Sequence, residues 1–390
     1  MEHKRSKFLT PVLFLFSLLL LAIIFLSYTG IKPSFKVDET ESKITLPSGF
    51  RIEVFAENLG GSAVSIPGPN PGPRMMLFID KTLFVSVPSQ GKVITLPDEN
   101  KDGKADEVIT VIDSLNNPHG IAFYADWLYV AEENEVVRFK LGENLQARKE
   151  TLEVIVPDLP TGGHFTRTIK IFNNSLYISV GSGCNVCYEE EERRAAITKC
   201  DLEGKGCRVF AKGLRNAVGF IFYKDRIWAT DNGRDWLGDD APPDEINIVE
   251  EDNNYGWPIC YGNNIHDTDF DKSIYIRNPC MEPFEKPSFI DLQAHSAPLG
   301  LAFYEGTNFP SEYMGNLFVA FHGSWNSGVP TGYKIVRINT ETKEIKDFAI
   351  GWLSNNNILG RPVDIVISEE GEMFVSDDNA GKIYRIYYSK

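Results

Sequence analysis

Ile121-Ala122-Phe123-Tyr124-Ala125-Asp126-Trp127-Leu128-Tyr129-Val130 is the stretch on which the fold turns. It holds a short apolar run, a turn, and a second apolar run with an aromatic residue at its centre. The same unit occurs as Met76-Leu77-Phe78 with Leu83-Phe84-Val85, and as Ile169-Lys170-Ile171 with Leu176-Tyr177-Ile178. It returns as Phe220-Ile221-Phe222 with Ile227-Trp228-Ala229, as Leu301-Ala302-Phe303 with Leu317-Phe318-Val319, and as Ile365-Val366-Ile367 with Met373-Phe374-Val375. Such runs, β-branched or aromatic and bounded by Gly, Asn, Asp and Pro, read as strands joined by tight turns. A third strand follows in several copies, as in Gly91-Lys92-Val93-Ile94, Tyr333–Ile338 and Gly381–Ile386. No segment beyond residue 30 carries a long helical period with caps.

Each unit is therefore one small antiparallel sheet, which cannot bury both of its apolar faces alone. Six such sheets packed around an axis cover one another and leave only short edges. The expected fold is all-β, a six-bladed β-propeller. The aromatic centres from Phe84 to Phe374 are 45, 48, 51, 90 and 56 residues apart. The long gap is read as an insertion, because Trp236 to Pro298 is loop-like in composition. Phe50–Phe55 is the strand expected to complete the last blade and close the ring. A β-sandwich is the alternative, and six copies with the aromatic in one place speak against it.

Working outward, Lys4, Arg5 and Lys7 precede an almost unbroken apolar run from Phe8 to Tyr28. About 20 apolar residues suffice to span a bilayer, and the run lacks a small-x-small cleavage site. It reads as an uncleaved transmembrane anchor, with a cleaved signal as the alternative and a secreted protein as its consequence. The basic flank keeps the N-terminus in the cytoplasm and sends the rest across the membrane. The expected organisation is an anchor over 1–29, a linker over 30–46 and the propeller over 47–390. With 43% apolar and 24% charged residues the chain can bury a core, and its net charge of −15 makes nucleic acid a poor partner.

Six cysteines fit the same extracytoplasmic compartment. Short loops favour Cys184 with Cys187, Cys200 with Cys207 and Cys260 with Cys280. The Cys-x-x-Cys at 184–187 also suits zinc, but Cys200 and Cys207 lack the matching spacing. Asp98-Glu99-Asn100-Lys101-Asp102-Gly103-Lys104-Ala105-Asp106 sets oxygen ligands at Asp98, Asn100, Asp102 and Asp106, the Lys104 carbonyl between, and a glycine at the turn. That is the first part of an EF-hand-type loop and suggests structural calcium, although Ile109 replaces the final carboxylate and a plain turn would look similar. A second acidic stretch, Asp231–Asp240 followed by Asp244-Glu245-Ile246-Asn247, reads as a loop that calcium or solvent neutralises. His119, His164, Arg215, Asn216, His295, His322 and Arg361 stand near equivalent places of successive units, so a propeller would gather them at one mouth. Histidine there suits a general base, and arginine suits an anionic ligand.

Through these residues the sequence resembles the soluble pyrroloquinoline-quinone-dependent glucose and sorbosone dehydrogenases, the sorbosone-type branch in particular. The matching segments are Gly162-Gly163-His164, Gly181–Cys187, Leu214-Arg215-Asn216, Asp244–Asn247, Asn254–Pro258, His295–Gly300 and Gly360–Asp364. The resemblance implies oxidation of a sugar-like alcohol or aldehyde by hydride transfer to pyrroloquinoline quinone, with Ca2+ beside it and an unspecified electron acceptor. It implies His164 as the catalytic base and Arg215 and Asn216 against the reacting carbonyl region. It implies the backbone carbonyls of Gly233 and Arg234 as calcium ligands and Arg361 as a cofactor carboxylate partner. Three positions depart from the pattern. Val363 replaces a second arginine, Phe321–Asn326 lacks the family's lysine and offers His322 or Asn326 instead, and the early loop has His119 but no glutamine. A propeller that binds a glycan or a protein without catalysis, or a calcium-dependent lactonase, are the alternative readings.

Overall fold

In a computed structural model of the chain, residues 44–60, 71–283 and 285–389 are described. They form a six-bladed propeller of four-stranded antiparallel sheets. Blade one uses Met76–Ile79, Thr82–Val87, Lys92–Leu96 and Ile109–Ile112, and blade two Ile121–Tyr124, Trp127–Ala131, Val136–Lys140 and Glu153–Val156. Blade three uses Arg167–Phe172, Ser175–Val180, Ala196–Cys200 and Arg208–Lys212. Blade four uses Phe220–Tyr223, Arg226–Asp231, Asp244–Val249 and Ile290–Leu292, and blade five Pro298–Phe303, Leu317–Phe321, Lys334–Asn339 and Glu344–Ile350. Blade six combines Pro362–Ile367, Met373–Asp377 and Lys382–Tyr388 with Phe50–Ala56. The ring thus closes with the strand expected for it, Phe50 lying opposite Tyr388.

The core lies between blades rather than inside any one of them. One cluster joins blades six and one through Phe55, Val85, Phe374 and Ile383, and another joins blades three and four through Tyr177, Ile197, Phe220 and Ala229. Every aromatic centre of the repeat serves such a contact. Phe84, Tyr129, Tyr177, Trp228, Phe318 and Phe374 are all buried. Each fills the gap to a neighbour, worth roughly 2–3 kcal/mol on burial of a large apolar side chain. At the axis Val218, Leu299 and Val363 pack together. Val363 is fully buried there, so the position where the family's pattern has an arginine is an apolar plug in this chain.

The long gap is filled differently from the expectation. Asp244–Val249 is the third strand of blade four and Ile290–Leu292 its fourth. The insertion is therefore 250–289, between those strands. Asp244, Glu245 and Asn247 looked like loop because they are polar. They are buried instead, and loops outside the strand supply most of their partners. Asp244 accepts from the Gly233 N–H at 2.8 Å, the Ala297 N–H at 2.8 Å and the Ser296 hydroxyl at 3.0 Å. Glu245 accepts from the Gly262 N–H at 2.6 Å and from Asn247 Nδ2.

Three disulfides close as the loop lengths favoured, Cys184–Cys187, Cys200–Cys207 and Cys260–Cys280. Both cysteines of the Cys-x-x-Cys pair are thereby spent, which removes the zinc reading. The expected anchor over 1–29 and nearly all of the linker lie outside the described residues. Among the described residues no helix is long and apolar enough to cross a membrane. Ile44 and Leu46, just ahead of the boundary expected at 47, pack against the cluster between blades five and six.

Candidate active site

In each blade the first strand adjoins the axis and pairs antiparallel with the second. The start of the first strand and the end of the second therefore share one end of the molecule, as Arg167 opposite Val180 and Pro362 opposite Asp377 show. His119, His164, Arg215, Asn216, His295 and Arg361 all precede first strands, and His322 follows a second strand. The fold brings the whole expected set to a single mouth.

His164 and Asn216 close on each other across Gly181. A Cβ at Gly181 would lie 2.8 Å from the His164 Cβ and 2.5 Å from Asn216 Oδ1, so only glycine admits this approach. His164 Nδ1 is 2.9 Å from the Ser182 carbonyl. A carbonyl only accepts, so Nδ1 carries the proton and Nε2 is the basic nitrogen. Burial, and then the Arg215 guanidinium, lower this imidazole to about 4. It is neutral at neutral pH, with a lone pair on Nε2.

Arg215 is itself held firmly. Its guanidinium donates to the Asn185 carbonyl at 2.9 Å, to Asn185 Oδ1 at 2.9 Å and to the Asn232 carbonyl at 3.1 Å, and Asp235 lies 3.7 Å away. The backbone N–H groups of Arg215 and Asn216 donate to Asp231 at 2.8 and 2.6 Å. Asp377 performs the same service in blade six, accepting from the Arg361 N–H at 2.9 Å. Burial pushes Asp377 up to about 6 and Asp231 well above the ordinary carboxylate range, the latter with help from Glu245.

The opposite side of the mouth is an ionic chain. Asp378 accepts from Arg74 Nη1 at 2.5 Å and contacts His322 Nε2 at 2.9 Å. Burial works against the Asp378 charge, yet His322 and Arg74 hold the carboxyl down at about 2. Arg361 is buried. It donates to the Gly323 carbonyl at 2.8 Å, the Ser324 carbonyl at 3.2 Å and Tyr333 Oη at 3.3 Å. His119 is fully buried, 3.3 Å from the Thr168 hydroxyl, and burial and Arg74 keep it neutral. Asn326 lies beside Asp235 on the rim.

Several polar atoms here lack hydrogen-bond partners among the described residues, namely His119 Nε2, Asn216 Oδ1, Arg74 Nε and Asp377 Oδ2. Unsatisfied buried polar atoms are costly and rare in a finished core. They are grouped at one mouth with four histidines and three arginines; the acceptors among them suit a ligand with polar donors, and the arginines suit its anionic groups. The carbonyls of Gly233 and Arg234 receive no hydrogen bond among the described residues, which suits a cation. The Arg234 side chain turns away to Asp267, at 2.6 Å.

The 98–106 loop is a different matter. Asp98 accepts from the Asp102 and Gly103 N–H groups, Asn100 from Asp102, Asp102 from Lys104, and Asp106 from Glu99. Its three carboxylates do not converge within 4.8 Å of one another. The oxygens accept from the loop's own N–H groups, which close the turn.

Arg74 and Asp378 were not among the expected residues. The repeat itself marks Arg74, which lies ten residues before Phe84 just as His119 lies ten before Tyr129. The N–H of each donates to a second-strand carbonyl, Arg74 to Ser86 and His119 to Ala131. An offset of three after the aromatic centre likewise marks Glu132, Asp231 and Asp377. Each of these accepts backbone N–H groups at the mouth.

The fold and mouth define a six-bladed propeller with a neutral histidine, clamped arginines and unsatisfied polar atoms over the axis. Residues 69–389 match the TrAA12-like family, and the chain belongs to it. It is 32% identical over 374 residues to an uncharacterized protein of Borreliella burgdorferi, covering 90% of this chain and 93% of that one. A pyrroloquinoline quinone-dependent pyranose dehydrogenase of Coprinopsis cinerea is 26% identical over 298 residues, which are 57% of this chain and 39% of that protein. Among solved structures, a family AA12 carbohydrate-active enzyme of Trichoderma reesei superposes with a TM-score of 0.73 at 20% identity, covering 89% of this chain and 97% of the other. The pyranose dehydrogenase quinone domain of Coprinopsis cinerea gives 0.69 at 21% identity, covering 88% and 97%.

Proposed function

We propose that the protein is a pyrroloquinoline-quinone-dependent oxidoreductase that oxidises a sugar hydroxyl or sugar aldehyde hydrate outside the cytoplasm. The observation that carries this reading is His164, a neutral imidazole whose tautomer is fixed by the Ser182 carbonyl 2.9 Å from Nδ1. Family membership supports it, and three disulfides suit an oxidising compartment.

When bound, the quinone would supply the two-electron oxidant, and calcium beside it would polarise its carbonyl. His164 Nε2 takes the proton of the substrate hydroxyl as the adjacent C–H is oxidised. Depression to about 4 keeps that nitrogen unprotonated across the working range. Arg215 lies where negative charge develops and needs no reorganisation, because Asn185 and Asn232 already fix it. Asn216 Oδ1 and His119 Nε2 offer polar contacts to the ligand's edge, and Arg361, His322 and Asn326 border its carboxylates. The carbonyls of Gly233 and Arg234 would hold the calcium. Arg74 adds a cation to the mouth. The substrate is sugar-like, and the sorbosone-type assignment rests on the sequence segments quoted above.

The test is calorimetric titration of the full chain with pyrroloquinoline quinone and calcium, then dye reduction over a panel of aldoses, sorbosone and lactones. Saturable quinone binding and sugar-dependent dye reduction that a chelator abolishes are expected. Failure to bind quinone removes the reading, and lactone hydrolysis without quinone replaces it with a hydrolase.

A further inference from the structure

Two tryptophans stand on the rim of the mouth with most of their surface in solvent. Trp236 is 69% exposed and Trp325 60% exposed. Their rings meet edge to face, with centroids 5.5 Å apart and planes at 89°. Trp236 follows the second strand of blade four and Trp325 that of blade five, so they face each other across neighbouring loops. Large exposed aromatics normally bury themselves, and a pair left open at the edge of a polar mouth marks a contact surface.

The backbone gives an independent sign. Trp236 has φ +72°, a left-handed conformation that is unusual and strained for a bulky residue. Burial of its own ring does not offset that strain, since most of the ring is in water. The strain is imposed by the surroundings. Asp235 N donates to Asn185 Oδ1 at 2.8 Å, and Gly328 N donates to Asp239 Oδ1 at 2.9 Å, tying the two loops together. His295 Nε2 lies 2.7 Å from the Gly238 carbonyl.

The mouth arginines hold the same loops. Arg215 donates to the Asn232 carbonyl and lies 3.7 Å from Asp235, next to Trp236. Arg361 donates to the Gly323 and Ser324 carbonyls, next to Trp325. Asp235 lies against the Trp325 side chain as well. Each loop that carries an indole is thus held by a guanidinium of the mouth.

We propose that Trp236 and Trp325 form a stacking corner for the second ring of an oligosaccharide whose end ring reacts at His164. This rests on the sugar-oxidising reading above and adds a subsite to it. A pyranose presents an apolar face of C–H groups that packs on an indole, while its hydroxyls stay in water at an exposed rim. A monosaccharide at His164 leaves the corner empty. A chain of two or more rings fills it.

The experiment compares kcat/KM for glucose and cellobiose in the full chain loaded with quinone and calcium, for the wild type and the single variants W236A and W325A. The wild type is expected to favour cellobiose about tenfold, chiefly through KM, the order of magnitude of one aromatic stacking contact. In both variants the ratio of the two sugars falls close to one. Equal efficiency in the wild type, or a preference that survives both substitutions, overturns the proposal. A second arm titrates methyl β-cellobioside into quinone-free protein and follows tryptophan emission. A saturable change absent from W325A supports the corner even where no dehydrogenase activity is found. No change in the wild type refutes the corner, whatever happens at His164.

Discussion

The two halves of the mouth use the same residue types to opposite ends. On the side of blades three and four, His164 is neutral with a basic nitrogen to spare, and Asn216 Oδ1 has no partner. On the side of blades five, six and one, Arg74 Nη1 and His322 share Asp378 while Arg74 Nε has no partner among the described residues, and Arg361 gives its donors to carbonyls and Tyr333. The difference separates a group with a basic nitrogen free to take a proton from charges that hold one another in place at the ligand's border. Composition alone does not distinguish them, since both halves contain histidine and arginine.

The largest effect expected from that contrast is at His164. His164→Gln removes the base and keeps the size and polarity of the side chain. Loss of a positioned general base lowers turnover by about 10²- to 10⁴-fold. Quinone binding and the melting temperature should stay near those of the wild type. Dye reduction beside a thermal melt checks this. Turnover that survives the substitution would take the chemistry away from this half.

Asp378→Asn should show the reverse. It leaves Arg74 buried without its counter-charge, and breaking one partner of a buried pair costs about 3 kcal/mol or more. Denaturant unfolding should show that loss, while the folded, quinone-saturated fraction should turn over at close to the wild-type rate. A variant with unchanged stability and no turnover would mean that the ionic chain, too, belongs to the reaction.

The blades were legible because the aromatic-centred hairpin is a local pattern that packing demands of every copy. Phe84 and Phe374 sit in different blades yet meet the same requirement, a large ring between two sheets. The insertion was misplaced because Asp244 and Glu245 violate that logic. Polar residues read as loop until their partners, Ser296, Ala297 and Gly262, are brought in from distant parts of the chain. The mouth was half legible. His164, Arg215 and Arg361 stood out by residue type and by family resemblance. Asp378 did not, because its role depends on Arg74 and His322, which lie 304 and 56 residues away in sequence. Trp236 gave no sign of its exposure, because an aromatic residue in a polar loop reads as a packing residue until the fold leaves it on the rim.

The finest test of the contrast is the acid limb of kcat/KM. His164 is depressed from 6.5 to about 4, by burial first and Arg215 second. Its neutral form is favoured in the folded protein, so its contribution to stability is complete above 6.5 and disappears as pH falls through 4. Asp377 and Asp244, raised to about 6, act in the opposite direction. They favour the folded state most below their unfolded value of 3.8, and that contribution is lost as pH rises through 6. Folding is therefore buffered on the acid side, while the reaction has one titrating base. The rate should fall with an apparent pKa near 4 rather than 6.5. Arg215→Gln removes the second of these causes, so the limb should move upward yet stop short of 6.5, because burial and the more distant Arg167 and Arg194 remain. A limb already at 6.5 in the wild type would mean that the reacting base is exposed to water and is not the imidazole tied to Ser182.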